Sequence, residues 1–137
     1  MMNQFEIFCE DLMDNQNIAI IGLNNAGTEL FKAMVGLKEK GVNVLGVSES
    51  VFTEGSQLAQ ELGINNMSIN QIIDMGSEID VIFDLTGSRE VRKELRTTLF
   101  SSKNQHTVIA PECVARLMYT MIDDRELPES NSELIGY

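Results

Sequence analysis

The sequence predicts an α/β domain in which helices cover both faces of a doubly wound parallel sheet of about five strands. Three observations lead there. Short runs rich in Ile and Val alternate with segments of helical periodicity along most of the chain. The first such run, Asn17–Leu23, ends in a glycine turn that opens directly into a helical pattern. The 137 residues are enough for one domain with a real core.

The elements follow in order. Asn17–Leu23 reads as a buried strand. From Ala26 onward, Leu30, Ala33, Met34 and Leu37 fall on one helical face, and Gly41 closes that helix as a C′ glycine. Val42–Val47 is a second strand. Gly55–Leu62 is a short helix with Leu58, Ala59 and Leu62 inward and Gly63 as its stop. Ile64–Met67 is a brief third strand. Ser68 caps a helix carrying Ile69, Ile72 and Ile73. Val81–Leu85 is the fourth strand, and the helix after it aligns Val91, Leu95 and Leu99. Thr107–Ala110 is the fifth, and Pro111 suits the first turn of a last helix with an apolar stripe of Val114, Leu117, Met118, Met121 and Ile122.

Strands separated by helices, joined by right-handed crossovers, favour the order 3-2-1-4-5. Ligands in such sheets bind at the carboxyl ends of the strands, where the order reverses. That point lies between the turns after the first and fourth strands. The domain is expected to span residues 16–122. Residues 1–15 read as an extra amphipathic helix through Phe5, Phe8, Cys9, Leu12 and Met13, and residues 123–137 as an acidic, disordered tail or linker stub. The stripes of the first and last helices suggest a homodimer or docking to a further domain.

Composition excludes several functions. A net charge of −11 repels phosphate backbones and argues against nucleic-acid binding. No apolar run approaches a membrane span, and the N-terminus lacks a basic, signal-like start, so a cytoplasmic protein is expected. Cys9 and Cys113 have no ligand spacing and read as buried free thiols. His106 has no metal-binding neighbours, and no metal is expected.

The turn Gly22-Leu23-Asn24-Asn25-Ala26-Gly27 has the form G-x-N-x-x-G, where a dinucleotide site has G-x-G-x-x-G. Gly22 supplies the tight turn and Gly27 the close helix–strand approach, while Asn24 stands where a glycine admits the pyrophosphate. Glu49 follows Ser48 at the end of the second strand, at the distance expected of a ribose-binding acid. Such a carboxylate accepts both ribose hydroxyls and repels a 2′-phosphate, which favours NAD over NADP. Thr86 and Gly87, after the fourth strand, face this turn across the crevice, and Ser88 serves either a ligand or a helix cap. Arg89, Arg92, Lys93 and Arg96 share one helical side, and two readings stay open: an anion or acidic-partner site, or a solvated face beside Glu90 and Glu94.

The segments I-A-I-I-G-L-N-N-A-G, V-L-G-V-S-E, A-Q-E-L-G-I and I-D-V-I-F-D-L-T-G resemble the N-terminal nucleotide-binding domain of the glucose–fructose oxidoreductase and inositol dehydrogenase family. The resemblance covers about two-thirds of the chain and implies a Rossmann-like fold, with Gly22, Asn24 and Gly27 on the glycine motif and Glu49 on the ribose acid. The family's E-K-P motif, with its catalytic lysine, has no counterpart in His106–Glu112, and no residues remain for a substrate domain. No catalytic residue is therefore assigned. The run from Asp84 to Arg96 and the segment Val114-Ala115-Arg116-Leu117 also resemble the Rossmann-like domain at the N-terminus of some bacterial sensor kinases, which implies a sensing module without catalysis. The expected site is Gly22, Leu23, Asn24, Asn25, Ala26, Gly27, Ser48, Glu49, Thr86 and Gly87. The expected function is a non-catalytic, regulatory NAD(H)-binding domain. The alternatives are an NAD(P)-dependent oxidoreductase subunit lacking its substrate domain, and an interaction domain with an empty crevice.

Overall fold

The computed structural model describes residues 15–122 and 127–128. The expected N-terminal helix and most of the expected tail lie outside this range.

Four parallel strands form the sheet: β1 (Gln16–Ile21), β2 (Val42–Ser48), β3 (Val81–Asp84) and β4 (Val108–Pro111), in the order β2-β1-β3-β4. This is the expected reversal at β1, with one strand fewer than expected. The third strand read at 64–67 is reduced to a single parallel bridge, Val47 to Asn66. Its backbone still lies beside β2, bonded through Val47 N–H to Asn65 C=O (3.0 Å) and Met67 N–H to the Val47 carbonyl (2.7 Å). Two successive asparagines, poor strand formers, interrupt the segment after Ile64.

Among the described residues five helices pack on the sheet: α1 (Asn25–Val35), α2 (Glu54–Glu61), α3 (Ile69–Asp74), α4 (Arg89–Ser101) and α5 (Glu112–Ile122). Helices α1, α2 and α5 share one core with the sheet, around Ile18, Ile20, Leu30, Phe31, Phe83 and Tyr119. Helices α3 and α4 share the other, around Ala19, Ile21, Ile72, Ile82 and Leu95. The alternating residues of β1 thus feed the two faces in turn, as a strand covered on both sides requires.

Local signals account for most helix ends. Thr53 and Ser68 form capping boxes with Ser56 and Gln71, and Ser88 accepts the Val91 N–H. Helix α2 closes through Gly63 N–H to Gln60 C=O and Ile64 N–H to Ala59 C=O, a Schellman pattern.

Several expectations need correction. Helix α1 stops at Val35, and Gly41 closes a separate 3-10 turn, Lys38–Lys40. Leu62, expected inward, is an exposed cap residue. Pro111 ends β4, paired with Asp84, and α5 begins at Glu112. Cys113 is exposed.

Helix α5 buries Glu112, Ala115 and Tyr119, while Val114, Leu117, Met121 and Ile122 remain at the surface and Met118 packs partly inward. Arg116 bonds Glu112 Oε2 and donates to the carbonyls of Leu127 (2.8 Å) and Pro128 (2.9 Å). Leu127 is buried in the core. These two residues of the expected tail are therefore seated on the domain.

At the opposite edge from the strand carboxyl ends, Asp80 accepts the Asn17 N–H at 2.8 Å and pairs with His106. The Asn17 N–H bond first, and the bond to His106 second, hold its pKa below the ordinary 3.8. A carboxylate whose pKa is lowered by folding stabilises the protein above its ordinary pKa, and that stability is lost as pH falls through the lowered value. Asp80→Ala is expected to cost about 1 kcal/mol at pH 7. The deficit should shrink as pH falls below about 4, which thermal unfolding at both pH values measures. A deficit unchanged by acid would contradict this account.

Candidate functional site

The site is built around the turn from β1 into α1. Gly22 has φ +93°, and a β-carbon there would press on Leu85 carbon and Thr86 nitrogen at 3.0–3.1 Å. The left-handed angle and the tight approach of the β3 turn both call for glycine. Gly27 answers a different need: a β-carbon on it would overlap the Gly22 carbonyl oxygen. Helix α1 therefore begins in direct contact with the turn that feeds it.

Asn24 takes on the role of N-cap. Its Oδ1 accepts the Gly27 N–H at 2.8 Å, and its Nδ2 donates to the Leu85 carbonyl at 3.0 Å. One amide thus satisfies a donor at the start of α1 and an acceptor at the end of β3. This pairing fixes which end of the amide points where, since oxygen cannot donate to Leu85 nor nitrogen accept from Gly27. The sequence offered the signal, because Asn is among the preferred N-cap residues.

Glu49 is held at the end of β2. Its Oε1 accepts the Leu23 N–H at 2.8 Å, and Oε2 accepts the Val51 N–H at 3.3 Å. The Asn66 side chain bonds the Glu49 backbone in both directions, at 3.0 and 2.9 Å, and so does part of the work of the missing strand. A carboxylate has about four lone-pair positions. Partners among the described residues use two, which leaves two for hydroxyl donors.

Across from this turn, Thr86 donates its hydroxyl to Asp84 Oδ1 (2.6 Å) and accepts the Ser88 N–H (3.1 Å). Its hydroxyl therefore holds the β3 turn together. Ser88 is the N-cap of α4, its hydroxyl oxygen accepting the Val91 N–H at 3.2 Å.

Gly22, Asn24, Ser48, Glu49 and Thr86 converge on one cleft of about 500 Å³, together with Ile21, Ser50, Ser68, Ile69, Asn70, Val91 and Glu94. The remaining expected residues lie behind it or beside it. Leu23 is buried and contributes its backbone N–H, Ala26 and Gly27 are buried in the turn–helix contact, Asn25 is exposed, and Gly87 shapes the β3 turn with φ +65°. Ser68, Asn70 and Glu94 escaped the sequence reading because only the packing of α3 and α4 decides which sides of those helices meet the cleft. On α4, Arg89, Lys93 and Arg96 are exposed, Arg92 is half-buried, and none of the four lines the cleft.

A second depression of about 470 Å³ adjoins the cleft at Glu49 and Ser50, with exposed Val51 and Phe52 on its wall. A third places Asn24, Asn25 and Thr28 beside Thr53, Glu54 and Pro128. No group of three metal-binding side chains occurs among the described residues. Nor is any helix among them long and apolar enough to cross a membrane.

No protein-family model matches the sequence and no curated protein matches it, so neither resemblance drawn from the motifs is confirmed at the level of a family. Similar solved structures exist. One is a Bacteroides fragilis protein assigned as an NADP oxidoreductase, at 18% identity and a TM-score of 0.50, covering 71% of this chain and 35% of that one. Another is S. aureus homoserine dehydrogenase at pH 6.0, at 16% identity and a TM-score of 0.55, covering 82% of this chain and 30% of the enzyme. The same enzyme at pH 7.0 gives 16% identity and a TM-score of 0.50, covering 82% and 31%. The chain spans about a third of the length of these proteins. At such identities the likeness establishes the fold, and the fold is Rossmann-like.

Proposed function

We propose that this chain is a nucleotide-binding domain without catalysis of its own, serving a sensory or regulatory role. The ligand contacts Glu49 through a ribose diol in the cleft at the β1 switch point. NAD(H) is the dinucleotide this arrangement favours, because a carboxylate at that position repels the 2′-phosphate of NADP(H). The observation that carries the reading is the placement of Glu49. It closes the end of β2, is fixed by Leu23 N–H and Asn66, and lines the cleft together with Gly22 and Thr86. The similar structures, an assigned NADP oxidoreductase and a dehydrogenase, support a nucleotide as ligand class.

Calorimetry with NAD(H), NADP(H), ATP and S-adenosylmethionine tests the reading. Binding of NAD(H) in preference to NADP(H) is expected, and silence from all four, with adenosine silent as well, overturns the reading. Glu49→Gln should weaken binding about tenfold or more, the worth of hydrogen bonds to a charged acceptor.

A specific observation favours a second reading, an interaction domain whose crevice takes no ligand: the Asn24 side chain already satisfies the Gly27 N–H that a phosphate would use. A third reading, an oxidoreductase subunit, would require a partner chain that brings a substrate domain. It predicts hydride transfer only in the mixture.

A further inference from the structure

The geometry points to a nucleoside, rather than a dinucleotide, as the preferred ligand of this cleft, with Asn24 as the residue that sets the preference. The inference rests on the nucleotide-type reading of the Glu49 cleft and narrows it.

Three observations carry it. First, the start of α1 is already capped from within. Asn24 Oδ1 lies 2.8 Å from the Gly27 nitrogen, so an oxygen from the chain's own side chain stands where a diphosphate oxygen would be received. To admit a diphosphate there, the amide must swing out and give up its bonds to both Gly27 and Leu85. Second, the charge of the cleft opposes a phosphate. Glu49 and Glu94 line it, and among the described residues no lysine or arginine does. Two carboxylates in a shared cleft repel a bound anion while leaving an uncharged ligand unaffected. Third, what the cleft does offer suits the other half of a nucleotide. The open lone pairs of Glu49 match a vicinal diol, and half-buried Ile69 and Val91, on α3 and α4, supply apolar surface for a planar ring.

The ligand class is therefore an uncharged ribonucleoside such as adenosine, with its diol on Glu49 and its base between α3 and α4. Its binding leaves the Asn24 cap in place. A dinucleotide reaches the same ribose position at the cost of that cap.

The experiment compares adenosine, ADP and NAD by calorimetry on the native protein and on Asn24→Gly. Glycine is also an accepted N-cap residue, and the variant gives up only the two Asn24 side-chain bonds, to Gly27 and Leu85. Asn24 has φ −69°, so no unusual backbone angle is at stake. On the native protein, adenosine should bind at least tenfold more tightly than ADP or NAD. On Asn24→Gly, the affinity for NAD should rise about tenfold while that for adenosine changes less than twofold. NAD binding the native protein as tightly as adenosine, or no gain for NAD in the variant, overturns the Asn24 assignment and leaves the proposed nucleotide function standing. Absence of binding by any of the three to either protein overturns both.

Discussion

Gly27→Ala is expected to destabilise the domain by about 3 kcal/mol, the upper range for forcing atoms into a packed interior. The added methyl group meets the carbonyl oxygen of Gly22, and that oxygen belongs to backbone rather than to a side chain that can turn away. Gly22 is itself pinned, since its N–H bonds the Ser48 carbonyl at 2.8 Å and the β3 turn closes over it. Helix α1 must therefore shift, and with it Leu30, Phe31 and Met34, all fully or nearly fully buried against the sheet. Alanine also brings a gain, because it is a better helix former than glycine by about 1 kcal/mol. The steric term wins, since moving a whole helix disturbs several core residues at once. For a domain of this size the midpoint should fall by roughly 10 °C. Thermal unfolding followed by circular dichroism reads this directly. A midpoint within 2 °C of the native protein would mean that helix and turn are not in contact as described.

Gly22→Ala should have a comparable effect for a different reason. Here the main cost is the backbone angle of +93°, which carries a penalty of about 1–2 kcal/mol for a residue with a β-carbon. The close approach to Leu85 and Thr86 adds to it, giving about 3 kcal/mol in total. The variant also separates the functional readings. If nucleotide or nucleoside affinity falls in the fraction that remains folded, the crevice beside Gly22 is the binding site. If stability drops while calorimetry shows an unchanged ligand affinity, the ligand lies elsewhere, and the turn serves folding alone.

Much of the fold is legible in the sequence because its main signals are local. The apolar runs of β1 and β3 are covered on both faces and can hardly be mistaken. Ser68 and Ser88 mark the helices they cap. Legibility fails where a tertiary neighbour makes the decision. The segment after Ile64 has too little apolar length to form a strand, yet it still lies along β2 because Asn66 bonds the Glu49 backbone. On α5 the most hydrophobic side, through Leu117 and Met121, stays exposed, while a carboxylate, Glu112, is buried. No periodicity count would choose that rotation. The i,i+4 spacing of Glu112 and Arg116 is a trace of it.

The candidate site divides in the same way. Gly22, Gly27 and Glu49 were readable because each answers a local demand of turn, contact or strand end. Asn24 was readable as an obstacle to a pyrophosphate but not as a bridge, since its second partner, the Leu85 carbonyl, lies 61 positions away in the chain. Thr86 was readable as a wall of the crevice, while its hydroxyl bond to Asp84 emerges only in the folded turn.

The seat that Arg116 makes for Leu127 and Pro128 has an architectural consequence. Helix α5 runs away from the cleft, yet Pro128 lies back beside Asn24, Asn25 and Thr53, at the cleft-bearing end of the sheet. Pro128 therefore sits next to the start of the first helix. Pro128 is thereby held at the rim of the cleft, as a handle is fixed beside a lock.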